Sequence, residues 1–266
     1  VRTLVVGIVN VTPDSFSDGG RHDTPDAAVA HALALVREGA DVLDVGGEST
    51  RPGAAPVAAD VEAARVVPVI AGLRRAGVAL PVSVDTRKAS VADAALAAGA
   101  TWVNDVTAGT ADPALLATVA RHGAGVLLMH MRGEPRTMQA TPRYDDVTAE
   151  VTAYLVARAR AAVAAGVRAD RVWIDPGLGF GKTFAHNETL LRDLSRLVAT
   201  GLPVVVGASR KGFLGAITGR PVEGRLAASL ACAARAVEAG AHAVRVHDVA
   251  ATVDLLKVLA RIRPTG

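Results

Sequence analysis

The stretch Gly39-Ala-Asp-Val-Leu-Asp-Val-Gly-Gly-Glu-Ser-Thr50 holds, in twelve residues, the unit from which the chain is built. A glycine closes an Ala-rich amphipathic run, a short apolar run follows, and polar residues follow that. Glycine just past a helix adopts the left-handed conformation that satisfies the last helical carbonyls. Val42–Val45, apolar but for Asp44, is short and bounded by turn residues, which suits a strand buried on both faces. The same order recurs along the chain. Gly77 precedes Val82–Val84, Gly99 precedes Trp102–Val103, and Gly123 precedes Val126–Met129. Gly166 precedes Val172–Ile174, Gly201 precedes Val204–Val206, and Gly240 precedes Ala243–Val246, while the opening run Leu4–Val9 supplies an eighth strand.

Alternating helices and strands imply parallel pairing with right-handed crossovers. A doubly wound open sheet shows the same alternation, so the strand exits decide between the two. They carry Asn10; Asp44 and Glu48; Asp85; Asn104 and Asp105; His130; Asp175; Ser209, Arg210 and Lys211; Arg245 and His247. Each run thus ends in a charged or hydrogen-bonding group. In a closed barrel these exits converge on one face, where such enzymes hold their sites, whereas an open sheet spreads them along a line. The expectation is an α/β fold, a (β/α)8 TIM barrel forming a single domain over residues 1–266. That length matches the roughly 250 residues such a barrel takes. No linker, charge block or low-complexity tract divides the chain.

Half of the residues are hydrophobic but only 3% are aromatic, so the core is expected to consist of Ala, Val, Leu and Ile. The lone cysteine, Cys232, rules out an intrachain disulfide and sits in an apolar helical run, where it reads as a packing residue. Net charge is +3 with both signs scattered, which argues against a nucleic-acid surface. No run of about 18 apolar residues exists, and the N-terminus turns polar too soon for a signal peptide, so no membrane partner and a cytoplasmic location are expected.

The exit loops carry the chemistry. The first, Asn10-Val-Thr-Pro-Asp-Ser-Phe-Ser-Asp-Gly-Gly20, exceeds the usual two to six residues of a βα connection and suits either a lid or a plain surface loop. The helix after it is expected from Thr24, with Pro25 first in the helix. In the second loop, Arg51 is a donor fork for phosphate or carboxylate, or merely solvated. Asp85 could accept two N–H bonds from a heterocycle; alternatively it caps a helix or pairs with Arg87 or Lys88. Asn104 could read a ring edge, and Asn104 or Asp105 could instead fix a turn. Met129 offers a polarizable surface to a flat ring or fills the core, and His130 suits a satisfied structural position.

The stretch Asp175-Pro-Gly-Leu-Gly-Phe-Gly-Lys-Thr183 approaches a phosphate-binding loop. That pattern needs glycine at position 176, where proline stands, and the helix register expected after the lysine is missing, with His186-Asn187 coming first. A nucleoside triphosphate is therefore excluded, and the glycines would let Asp175 and Phe180 face another ligand. Lys211 could form a Schiff base, bind an anion or contact a ring. Arg245 and His247 alternate with apolar residues and share a face; with Arg51 they could hold a diphosphate, or Arg245 could pair with Asp248 or another carboxylate.

In their order and spacing, these motifs resemble the dihydropteroate synthases from Gly7 to about Lys257. They include Gly-Gly-Glu-Ser-Thr-Arg-Pro-Gly, Met-His-Met-Arg-Gly, Ser-Arg-Lys and Arg-Val-His-Asp-Val. The resemblance implies a transferase of folate synthesis that joins 6-hydroxymethyl-7,8-dihydropterin diphosphate to p-aminobenzoate, giving 7,8-dihydropteroate and diphosphate with Mg2+. It implies that Asp85, Asn104, Met129, Asp175 and Lys211 hold the pterin. Asn10 would sit at the metal and, with Arg51, Arg245 and His247, around the diphosphate. Thr50, Arg51, Pro52, Phe180, Lys211 and Gly212 would border p-aminobenzoate, and Asp85, Lys211 and Arg245 would form the catalytic set.

One position departs from the family. Gly212 stands where many members carry a serine that helps hold the p-aminobenzoate carboxylate, which opens the question of how strongly the amine binds. The alternatives are a pterin-binding methyltransferase, which needs no diphosphate group, and a pterin-binding paralogue without turnover. The resemblance also implies a homodimer through late barrel helices, for which Leu226–Ala236 offers an Ala-rich face that could equally pack on the barrel.

Overall fold

The computed structural model describes residues 2–12, 25–50, 53–134 and 137–262. Eight strands run β1 (Leu4–Asn10), β2 (Val42–Gly46), β3 (Val82–Asp85), β4 (Trp102–Asp105), β5 (Gly125–Met129), β6 (Val172–Asp175), β7 (Val205–Val206) and β8 (Ala243–Val246). The intervening helices begin with α1 (Pro25–Glu38), α2 (Ala59–Arg75), α3 (Ala89–Ala97), α4 (Leu115–Arg121) and α5 (Val147–Ala164). Two helices follow β6, α6 (Phe184–Arg192) and α7 (Leu194–Val198), and two follow β7, α8 (Gly212–Thr218) and α9 (Leu226–Glu238), before α10 (Val249–Ile262) closes the order.

The strands pair in parallel as β6-β5-β4-β3-β2-β1-β8-β7. The ring closes where Ile174 bridges Val204 in parallel and the Ile174 N–H donates to the Pro203 carbonyl at 2.9 Å. The fold is the expected (β/α)8 barrel. All seven helix-terminal glycines of the repeat have positive φ, from 61° at Gly123 to 112° at Gly99. At Gly99 the reason is visible: the turn lets the Gly99 N–H and the Ala100 N–H bond back to Leu96 and Ala95, and Trp102 follows directly. Pro25 opens α1 as expected, while Thr24 lies outside the described residues.

Alternation along each strand sorts the core into two parts. Leu43 and Val45, Val82 and Val84, and Val126 and Leu128 join the large cluster between strands and helices. Val6, Leu127, Val205 and Ala243 turn inward and, with Leu4, Val42 and Trp173, plug the lower barrel. Two residues further along the same inward face come Asp44, Met129, Gly207, Arg245 and Asp175. The interior is therefore apolar below and polar above. Cys232 is half-buried on α9, and burial pushes its thiol up to about 11, which fits a packing role. No helix among the described residues is long and apolar enough to cross a membrane.

Candidate active site

The polar upper layer walls a cleft of about 480 Å3 at the strand exits. Asp85, Asn104, Met129, Asp175 and Lys211, expected at a pterin, all line it. Thr50, Phe180, Arg245 and His247 do so as well. Asn10 ends β1, level with Gly46 of β2, but is not part of the cleft wall. Gly212 is the first residue of α8, one position beyond the wall. Arg51 and Pro52, with the lid-like segment 13–20, lie outside the described residues.

Arg245 organises the charges. Its Nε donates to Asp44 Oδ2 at 2.6 Å and its Nη2 to Asp85 Oδ2 at 2.9 Å. Asn104 Nδ2 donates to the same Asp44 oxygen at 2.9 Å. The ion pair open to Arg245 in the sequence thus exists, but not with Asp248, which takes Arg210 instead. Nor does Asp85 pair with its sequence neighbours: Arg87 and Lys88 both bind Glu48, and Lys88 also binds buried Glu62. The physical reason is strand alternation, which turns Asp85 into the barrel while Arg87 and Lys88, beyond the strand end, reach across to the second loop and α2.

Burial pushes the Asp85 carboxyl up to about 7, against the pull of Arg245 and with further repulsion from Asp44. Asp175 is also raised by burial, although its Oδ1 accepts the Gly177 N–H at 2.6 Å. Burial brings the Lys211 amine down to about 8, with Asp175 opposing. For Arg245, burial opposes the charge but Asp44 and Asp85 outweigh it and hold the guanidinium protonated. Lys211 Nζ donates to the Leu178 carbonyl at 2.6 Å and stands 4.0 Å over the Phe180 ring. His247 Nδ1 lies 3.0 Å from Ser209 Oγ, which also accepts the His247 backbone N–H.

Several residues settle on their structural readings. Asp105 accepts from the Thr107 N–H and hydroxyl at 2.8 and 2.7 Å and from the Gly109 N–H, so it fixes the turn after β4. His130 is buried and neutral, its imidazole lowered to about 3 by burial and by Lys182. Contrary to the expected register, α6 does start directly after Lys182-Thr183, with Thr183 Oγ1 accepting the His186 N–H and His186 Nδ1 accepting the Thr183 N–H. The capping pair places His186 inside the first helical turn rather than ahead of it. The exclusion still holds, because Pro176 replaces the required glycine and Lys182 is only 2% exposed, turned away from any ligand.

Asp44 was visible at a strand exit but not assigned to the site, and Ser209 likewise. Asp44 Oδ1 is buried without a hydrogen-bond partner among the described residues, a costly arrangement that tertiary contacts alone impose. The signal for it is the inward phase of Val42 and Asp44, fixed by the register Ile8↔Asp44↔Ser83. Among the described residues, no group of three or more His, Cys, Asp or Glu side chains is placed to hold a metal. Chemically, the cleft offers carboxylate and amide acceptors and donors to the edge of a flat heterocycle, Met129, Ile8 and Val106 to its faces, and the Arg245 guanidinium and Lys211 amine to an anion.

Comparison with known proteins agrees with this site. Residues 6–247 match the family model described as pterin binding enzyme. Dihydropteroate synthase of Mycobacterium leprae is 52% identical over 263 residues, 96% of this chain and 92% of that protein. The Escherichia coli enzyme is 44% identical over 96% of this chain and 90% of its own length. A structure of Xanthomonas albilineans dihydropteroate synthase with 4-aminobenzoic acid superposes with a TM-score of 0.92 at 53% identity, covering 99% of this chain and 94% of that one. Another from the same organism, in complex with 7,8-dihydropteroate, gives 0.89 at 50% identity, covering 99% and 95%. The chain belongs to the dihydropteroate synthase family of pterin binding enzymes.

Proposed function

We propose that the chain condenses 6-hydroxymethyl-7,8-dihydropterin diphosphate with p-aminobenzoate, releasing diphosphate and forming 7,8-dihydropteroate. The observation that carries this reading is the convergence of Asp85, Asn104, Asp175 and Lys211 with Arg245 and His247 in one cleft. The ligands of the similar Xanthomonas albilineans structures, 4-aminobenzoic acid and 7,8-dihydropteroate, support it.

Loss of diphosphate leaves positive charge on the exocyclic methylene, delocalised into the electron-rich pterin. Asp85 and Asp175 accept N–H bonds from the ring and stabilise that charge, while Asn104 fixes the ring edge and Met129 packs on its face. Arg245 and His247, with Arg51, receive the departing anion, so charge is stabilised at both ends. The amine is neutral at pH 7 and needs no strong base. Lys211 and Phe180 form the floor between the pterin and p-aminobenzoate, with Thr50, Pro52 and the backbone at Gly212 around the latter. Exclusion of water by the first two loops protects the cationic centre.

The reaction would also draw on Mg2+, which keeps few protein ligands and binds chiefly through substrate phosphates. Asn10 would supply a carbonyl oxygen at the exit of β1, and the ion would neutralise charge on the leaving diphosphate. A cytoplasmic location and a homodimer belong to the same proposal. On α9 the residues Ser229, Ala233, Ala236 and Val237 pack inward, which leaves Leu226, with Ile217 and Val222, as the exposed apolar surface for a second copy.

Purified protein given Mg2+, the pterin diphosphate and p-aminobenzoate is expected to release diphosphate and form dihydropteroate, and to run as a dimer in light scattering. Pterin binding without turnover overturns the synthase reading.

A further inference from the structure

The Lys182 side chain is almost wholly buried, and nothing in the reaction above uses it. Its Nζ donates to His130 Nδ1 at 2.9 Å, to the Phe180 carbonyl at 3.0 Å and to the His130 carbonyl at 3.3 Å. The amine thus meets three acceptors, and burial pushes it well below the usual lysine range. Burying an amine is costly unless its polar atom is paired, so the residue at this position does something an apolar side chain would not.

What it holds is the loop between β6 and α6. The carbonyls of four successive residues are each claimed by a side chain, three from outside the loop and one, at Phe180, from Lys182 within it. Leu178 takes Lys211, Gly179 takes Gln139, Phe180 takes Lys182, and Gly181 takes the Tyr144 hydroxyl at 2.8 Å. The loop also lies flat on the exit of β5. A Cβ at Gly177 would overlap the His130 carbonyl oxygen, and one at Gly181 that of Arg132. Fixed this way, the loop presents the Phe180 ring beneath Lys211 Nζ and the Leu178 carbonyl to the same ammonium.

We propose that Lys182 is a positioning residue for the amine half of the site: with His130 it staples the β6–α6 loop to the exit of β5 and thereby sets Phe180 and Lys211. The proposal rests on the synthase reading. Asp85 and Asn104, on β3 and β4, are not attached to this loop, whereas Asp175 and Lys211 bond to it at Gly177 and Leu178, so the pterin subsite loses less than the amine subsite when the staple is lost. Lys182→Met keeps the length of the side chain and removes its donors.

Steady-state kinetics and direct pterin titration test this. Lys182→Met is expected to raise KM for p-aminobenzoate about tenfold and to weaken pterin binding by no more than about threefold, as a misplacement centred on the amine predicts. Tyr144→Phe, which unties only Gly181, is expected to raise the same KM to a smaller extent. Equal losses for both substrates overturn the assignment, as does a folded Lys182→Met with both constants unchanged. If Lys182→Met does not fold, an unchanged amine KM in Tyr144→Phe overturns it. Absence of turnover in the wild-type protein defeats the synthase reading itself, and this inference with it.

Discussion

Asp85 loses its proton as pH rises through about 7, because burial works against its charge despite the neighbouring guanidinium. Below that value it is a neutral acid and cannot accept ring N–H bonds through both oxygens. Lys211 loses its ammonium charge as pH rises through about 8, since burial acts on it in the opposite sense. The pair is therefore in its carboxylate and ammonium forms together only in a narrow window between these values. The kcat/KM for the pterin diphosphate, which reports the free enzyme, should rise from pH 6 toward 7 and fall above 8. A profile that stays level from pH 6 to 9 would show that neither group titrates in the working range. The residues themselves were legible in the sequence as strand-exit groups. Their partners were not: Asp85 sits 160 positions from Arg245, and Asp44 sits 201 positions from it.

At the scale of elements, two glycines in neighbouring loops behave oppositely. Gly177 has φ 66° and faces the His130 carbonyl with no room for a methyl group. Gly177→Ala combines overpacking with a disfavoured left-handed backbone, so denaturant unfolding should show a loss of about 2–4 kcal/mol. Gly212, opening α8, has open space where a Cβ would stand. Gly212→Ser should change stability by no more than about 0.5 kcal/mol and tighten p-aminobenzoate binding, measured by calorimetry with the pterin site filled. Unaltered amine affinity would mean that the backbone at Gly212 already does the work. The glycine-rich composition of both loops is plain in the sequence, but which glycine is confined and which is free depends on what packs beside each.

The whole molecule is a ring with one thin seam. β1 and β2 share five register pairs, whereas β6 meets β7 through the single Ile174–Val204 bridge, and β7 itself has two residues. Local opening should begin where the ladder is shortest. Native-state hydrogen exchange is expected to find the Ile174 amide less protected than those of Leu43 and Val45; equal protection would mean the seam is held by side-chain packing instead. By itself the sequence determined the eight-fold alternation, the left-handed helix ends and the polar character of the strand exits. Each of these follows from local stereochemistry and from a period of two along short runs, which any reader of the chain can count. Only the tertiary structure decided that Arg245 joins Asp44 and Asp85, that Arg87 and Lys88 turn to Glu48, and that the Lys182 side chain is sealed against His130. Those pairings depend on how strands from distant parts of the chain are brought side by side, and on burial that makes an unpaired charge too costly to leave, neither of which is a property of local sequence.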